Sequence, residues 1–302
     1  MLDQNYNFIK SSELHRLMKI LSYSLDGREG LAVHADDRWL DLAFASVAVT
    51  ADIAALLAQP DWRYRIKEAL RDAPALDISR ARFLPPVRAA EKILCVGLNY
   101  LDHVAESPYK QPTYPTFFLR TASSLIGHEQ ALIKPRVSEE FDYEGELVAV
   151  IGSTARHVTP ERALEHVVGY TIFNEGSVRD YQFKAPQWTM GKNFDGTGAC
   201  GPWFVTADEL PPGAKGLQLV TRVNGTVEQQ ARTDDMLFDV ASLVSLASEV
   251  MTLRPGDMLI TGTPAGVGFG KKPPVYLKPG DVCEVEIEGI GLLRNAVVAE
   301  RA

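Results

Sequence analysis

The chain has no long apolar run, no basic cluster and very little cysteine, and each shortage removes a class of function. A membrane-crossing helix needs about eighteen or more consecutive apolar residues. No stretch of this sequence reaches that length. Its three cysteines, Cys95, Cys200 and Cys283, are odd in number and lack C-x-x-C spacing, which argues against a disulfide framework and a cysteine-ligated zinc site. The net charge is −8 and the basic residues are scattered, so nucleic acid is not an expected partner. An anionic substrate would need a local cation to hold it. At the N-terminus, MLDQNYNFIKSSELHRL carries charges where a secretory leader carries an apolar core, so the expected location is the cytoplasm. With 302 residues, 46% of them apolar, the chain is long enough for one large domain and a smaller one.

The pattern along the chain is mostly β. From Met18, itself a possible true start after an extension at 1–17, MKILSYSLDGREGLAVHADDRWLDL reads as a β-ribbon. VTADIAALLAQPDWRYRIKEAL follows with helical spacing broken at Pro60. Pro85 and Pro86 mark the boundary, which gives a small N-terminal α/β domain at 18–88 and a catalytic domain at 89–302. Beyond it, TFFLR, ELVAVIG, GYTIF, PWFVT, LQLVTRVNG, MLITGT and CEVEIEGIGLL read as strands, and TPERALEHVV and LFDVASLVSLASEV as helices. Strands and helices do not alternate, so a doubly wound sheet or a TIM barrel is disfavoured. The expected class is α+β, mostly β, on a curled or sandwiched sheet.

Two glycine motifs carry little. GTGACG at 196–201 fits a dinucleotide fingerprint, but Pro202 and a strand follow it instead of a helix. GTPAGVGFGKK lacks P-loop spacing and reads as a turn-rich loop whose backbone N–H groups face a ligand.

The stretch FDYEGELVAVIG at 141–152 is more informative, because it places Glu144 and Glu146 two apart at the entrance to a buried strand. Side chains two apart in a strand share a face. Like charges so placed repel, and burying them unpaired costs several kcal/mol or forces a proton onto one of them. Alone, the pair could equally be a protonated structural feature or exposed to solvent. A third acid, Glu175, ends the strand-like run in GYTIFNEGSVRDYQ, and three oxygen ligands suit a hard cation such as Mg²⁺ or Mn²⁺.

Five blocks in order, ILCVGLNYLDHVAE, YEGELVAVIG, GYTIFNEGSVRDYQ, MGKNFDGTGACGPW and LITGTPAGVGFG, resemble the fumarylacetoacetate hydrolase family over residues 90–300. The resemblance implies a mixed β-roll catalytic domain, usually a homodimer, with a divalent metal held by Glu144, Glu146 and a further acid. It also implies a small anionic 2-oxo acid as substrate, as met in aromatic-compound catabolism. The implied reaction is C–C cleavage of an acylpyruvate-like 2,4-dioxo acid of the fumarylpyruvate or fumarylacetoacetate type, or else isomerisation, hydration or decarboxylation. A lapsed, ligand-binding member is the rival from another class.

One position departs from the family pattern: Glu175 stands where aspartate is usual. The extra methylene adds about 1.5 Å of bond length, so the backbone must retreat, as Gly176 would permit, or the ligand set must change. Asp180 is a substitute ligand or, more in keeping with the resemblance, structural. His103 and Glu106, three apart, can meet on one helical turn. A carboxylate beside imidazole suits a general base, the role the resemblance implies, although such a histidine read alone is a surface residue. Lys192 matches the active-site lysine, where a cation would stabilise an enolate. Arg179 and Gln182 match substrate-side positions, with Arg179 equally able to brace a carboxylate. Thr261, Gly262 and Thr263 match a loop lining the pocket. Tyr170 reads as core, and SPYKQPTYPT, after the dyad, as a lid.

Overall fold

The computed structural model describes residues 18–106 and 110–301. The extension expected at 1–17 therefore lies outside the described residues, as do Ser107, Pro108 and Tyr109 of the expected lid. The class is α+β and mostly β, as the sequence indicates.

An 11-stranded sheet forms the centre of the molecule. Its middle is the strand Gly145–Ile151, paired antiparallel with Val167–Glu175 on one side and Met258–Ile260 on the other. Beyond Met258–Ile260 lie Ile93–Gly97, parallel to it, and the edge strand Thr116–Arg120. In the other direction Gly198–Thr206 follows, and then the N-terminal hairpin of Lys19–Leu25 and Arg28–Ala35. That hairpin joins the sheet through Lys19↔Val205 and Ile20↔Phe204. The ribbon expected from Met18 onward thus continues the same sheet as the residues beyond Pro86.

A second, five-stranded sheet contains Gln218–Val223, Thr226–Arg232, Val282–Ile287 and Gly291–Ala299, with Leu132–Lys134 at its edge. CEVEIEGIGLL is therefore the heart of a hairpin. The polar strand TVEQQAR was not foreseen, because it is half-exposed and lacks an apolar run. In TPERALEHVV the α-helical turn Pro160–Ala163 continues as a 3-10 turn at Leu164–His166 and stops where the β-branched pair Val167 and Val168 begins the following strand.

The central strand is buried on both faces, and its alternation divides the core. Leu147, Ala149 and Ile151 face the five-stranded sheet with Leu219, Val285 and Leu293. Val148 and Val150 face the opposite side, where Ile20, Ile53, Leu56 and Phe204 pack from the N-terminal part and the sheet. Tyr170 is buried in the first of these cores, as expected. No helix among the described residues is long and apolar enough to cross a membrane.

Candidate active site

The same alternation places the acids. Glu144 and Glu146 share the parity of Val148 and Val150 on one strand, and Glu175 shares that of Phe173 on its neighbour, where Glu146 pairs with Phe173. The backbone N–H of Glu175 donates to the Glu144 carbonyl at 2.8 Å. All three side chains therefore emerge on one face at the end of the sheet. Each offers an oxygen within 4.8 Å of the others, and all three are at most 4% exposed.

Three cations enter this nest. Lys192 Nζ donates to Glu144 Oε2 at 2.7 Å and to Glu175 Oε2 at 3.1 Å. Arg179 bridges Glu144 Oε1, at 2.6 Å, and Asp142 Oδ2, at 2.8 Å. Arg120, fully buried, stands with Nη1 3.6 Å from Glu175 Oε1 and is itself anchored on the Gly176 carbonyl and Thr197 Oγ1. Burial alone would push the Glu144 carboxyl up, but the charges of Lys192 and Arg179 prevail and bring it down to about 2. Glu146 goes the other way: burial, then the Glu175 and Glu144 charges, push it well above the usual carboxylate range. Its hydrogen bond comes from the Gly262 N–H at 2.5 Å.

The residues fit a hard cation on two counts. Glu175 Oε1 is buried without a hydrogen-bond partner, and the like charges around Glu146 lack a full counter-charge. Gly176 owes its place to close packing, since a Cβ there would stand 2.1 Å from the Thr197 carbonyl oxygen. Asp180 accepts from Ser138 Oγ at 2.6 Å and stands outside the acidic triad, a bracing position.

The expected dyad is present. His103 Nδ1 lies 2.8 Å from Glu106 Oε1 on the short helix Leu101–Glu106. The Glu106 carboxylate also accepts from the Gly266 N–H. Gly268 and Phe269 donate to Asp142 in turn. The glycine-rich loop thus turns its N–H groups toward two of the chain's own carboxylates, not toward a free ligand, and ties the dyad to the acidic nest.

His103, Glu144, Glu146, Glu175, Arg179, Gln182, Lys192 and Thr263 line one cleft. Gln182 accepts from Arg179 through Oε1 at 2.9 Å. Thr261 does not line it; fully buried, its hydroxyl donates to the Leu147 carbonyl in the central strand. Gly262, at φ +96, adopts a backbone conformation open chiefly to glycine and so aims its N–H at Glu146. The sequence reading missed Asp142 and Arg120. Asp142 carried a usable signal, since it shares the strand entrance with Glu144.

Comparison with known proteins settles the family. The family model described as fumarylacetoacetate (FAA) hydrolase C-terminal matches residues 92–298. The chain belongs to the fumarylacetoacetate hydrolase family. It is 42% identical over 225 residues to the mitochondrial oxaloacetate tautomerase of Xenopus laevis, covering 74% of this chain and 70% of that one. Among solved structures, a fumarylacetoacetate hydrolase from Exiguobacterium antarcticum superposes with TM-score 0.82 at 39% identity, covering 94% of this chain and all of the other. A 2-hydroxyhepta-2,4-diene-1,7-dioate isomerase from Mycobacterium marinum gives TM-score 0.74 at 31% identity, with 94% and 100% covered. This is a family of enzymes acting on small acids, with both hydrolases and isomerases among the relatives.

Proposed function

We propose that the protein is a divalent-metal-dependent hydrolase that cleaves a C–C bond in an acylpyruvate-like 2,4-dioxo acid. The observation that carries this reading is a carboxylate-oriented imidazole, His103 with Glu106, lining the same cleft as the Glu144, Glu146 and Glu175 triad. The triad would hold Mg²⁺ or Mn²⁺, which when bound supplies Lewis-acid charge for the oxygens of a 2-oxo acid.

The chain's own groups do the rest. With Nδ1–H donated to Glu106, the His103 ring keeps Nε2 as its basic atom. That nitrogen takes a proton from water as the oxygen attacks the C4 carbonyl. Breaking the C3–C4 bond releases the carboxylic acid and leaves the electron pair as pyruvate enolate. Lys192, already among the acids, supplies positive charge beside that enolate, and protonated His103 returns the proton to C3. Arg179 holds Glu144 in place, Gln182 offers a polar contact at the cleft wall, and Thr263, bonded to Gly145 and Gln229, fixes that wall against the central strand. The proposal extends to a cytoplasmic homodimer.

A second reading is favoured by the activity for which the Xenopus relative is named: tautomerisation of oxaloacetate, in which the same imidazole moves a proton between C3 and the enol oxygen and no water is consumed. The test is pyruvate release from acetylpyruvate with Mg²⁺ or Mn²⁺, beside enol absorbance with oxaloacetate. Pyruvate release supports hydrolysis, with His103→Ala lowering turnover by roughly 10²- to 10⁴-fold. Enol interconversion without pyruvate release from acetylpyruvate replaces it with the second reading.

A further inference from the structure

The cleft changes character between its two ends. Its inner end is the charged nest. Two aromatic pairs line the same cleft. On one side the Phe118 ring lies 5.4 Å from Lys192 Nζ, and Trp188 meets Phe118 edge-on at 5.7 Å. On the other, the Phe269 ring lies 5.8 Å from the Arg179 guanidinium, and Phe183 tilts against Phe269 at 5.1 Å.

The arrangement follows from two short helices. Arg179–Gln182 presents its arginine inward and passes directly into Phe183. Thr189–Lys192 presents its lysine inward and is preceded by Trp188. Trp188 is seated on bare backbone at Gly97, where an added Cβ would stand 2.1 Å from the indole. Phe183, 39% exposed and packed on one side by Phe269, leaves apolar surface open in the same cleft.

Among the described residues, the cationic groups lining the cleft are already committed. Arg179 is held by Asp142 and Glu144, Lys192 by Glu144 and Glu175, and His103 by Glu106. A carboxylate at the far end of a substrate would meet aromatic rings with no uncommitted cation beside them among the described residues. A planar apolar group would meet surfaces it can stack against and would cover Phe183.

We propose that this cleft selects 2,4-dioxo acids whose acyl group is apolar, aromatic above all, held between the Phe183–Phe269 and Phe118–Trp188 pairs, and that it disfavours a second carboxylate there. The inference rests on the reading that the 2-oxo acid end seats at the acidic triad. It separates this chain from handling of fumaryl-type or oxaloacetate-type dicarboxylates.

The experiment is calorimetric binding of three unreactive 2-oxo acids to the full chain with saturating Mn²⁺, with acetylpyruvate turnover measured separately. The expected order is 4-phenyl-2-oxobutanoate tightest, by roughly tenfold over 2-oxopentanoate, and 2-oxopentanedioate weakest. Phe183→Ala, a change at a partly exposed site, should shrink the phenyl advantage. Binding of the dicarboxylate as tight as the phenyl acid, a phenyl advantage unaffected by Phe183→Ala, or no binding of any probe overturns the proposal. Loss of acetylpyruvate turnover with the binding order intact removes only the hydrolase reading, whereas turnover with the order reversed removes only this one.

Discussion

The acidic triad and the histidine dyad face one cleft but are built in opposite ways. The triad sits on the two central strands of the large sheet, buried on every side, and two of its three carboxylates are in direct contact with Lys192. The dyad sits on a six-residue helix near the sheet edge, its side chains 12% and 19% exposed, fastened mainly by the Gly266 N–H. Charge in the first region is locked into packing. In the second it is held by a single turn of helix and one loop. The lesson is that the triad doubles as structural core, whereas the dyad can be altered without touching the core.

The largest expected effect separates two neighbouring glutamates. In metal-free protein, Glu144→Gln leaves Lys192 and Arg179 underpaired in a buried setting, which should cost about 3 kcal/mol, the low end for breaking such a pair because Glu175 and Asp142 remain as partners. Glu146→Gln should cost almost nothing or stabilise, since this carboxyl is repelled by its neighbours and bonded to a backbone N–H. His103→Ala should cost about 1 kcal/mol or less. Urea denaturation in chelator measures all three variants. Equal losses at Glu144 and Glu146 would erase the distinction between a paired and an unpaired acid. Both glutamine variants should still weaken Mn²⁺ binding.

A smaller effect tests the longer acid at Glu175. Its Oε2 reaches Lys192 while Oε1 stands 3.6 Å from Arg120, and Gly176 is wedged against the Thr197 carbonyl, so the backbone is not free to follow a shorter side chain. Glu175→Asp should therefore weaken Mn²⁺ binding by about tenfold, the low end of what misplacing one group at a metal site costs. Calorimetric titration of both proteins decides it. Tighter binding by the aspartate variant, with turnover appearing only then, would favour a lapsed site in the natural chain.

Legibility in the sequence followed interaction range. Glu144 with Glu146, and His103 with Glu106, were readable because strand and helix periodicities bring residues two or three apart together. Glu175 needed only one strand pairing. Asp142 shares the strand entrance with Glu144, but its role became visible only through partners far along the chain, Arg179, Gly268 and Phe269. The aromatic walls were equally hidden, since nothing local says that Phe183 and Phe269 meet. Thr261 and Thr263 look alike in sequence. Both hydroxyls donate to carbonyls of the central strand, at Leu147 and Gly145, yet only Thr263 lines the cleft. On the fold, the strand pattern was readable throughout the large sheet, but the pairing of the N-terminal hairpin with Gly198–Thr206 is a long-range fact that no periodicity encodes.

The smallest effect sharpens the comparison at a half-buried group outside both regions. His128 packs edge-on against Phe83 at 5.0 Å and accepts the Arg294 N–H through Nδ1 at 3.1 Å, linking the N-terminal part to the five-stranded sheet. Burial lowers its pKa below the usual value, Glu129 partly offsets that, and Arg294 reinforces it. The folded chain thus prefers the neutral ring. Its contribution is fully present above the unfolded value of about 6.5 and is lost as pH falls from there toward the depressed folded value, because the unfolded chain then binds the proton more readily. Unlike the triad, this site has no network of opposite charges to compensate for burial. Stability should therefore fall on acidification just below pH 6.5, and His128→Gln should flatten that part of the profile while lowering stability at neutral pH only modestly. Urea midpoints taken across that range for both proteins give the comparison, and an identical slope in the variant would assign the acid sensitivity to other groups.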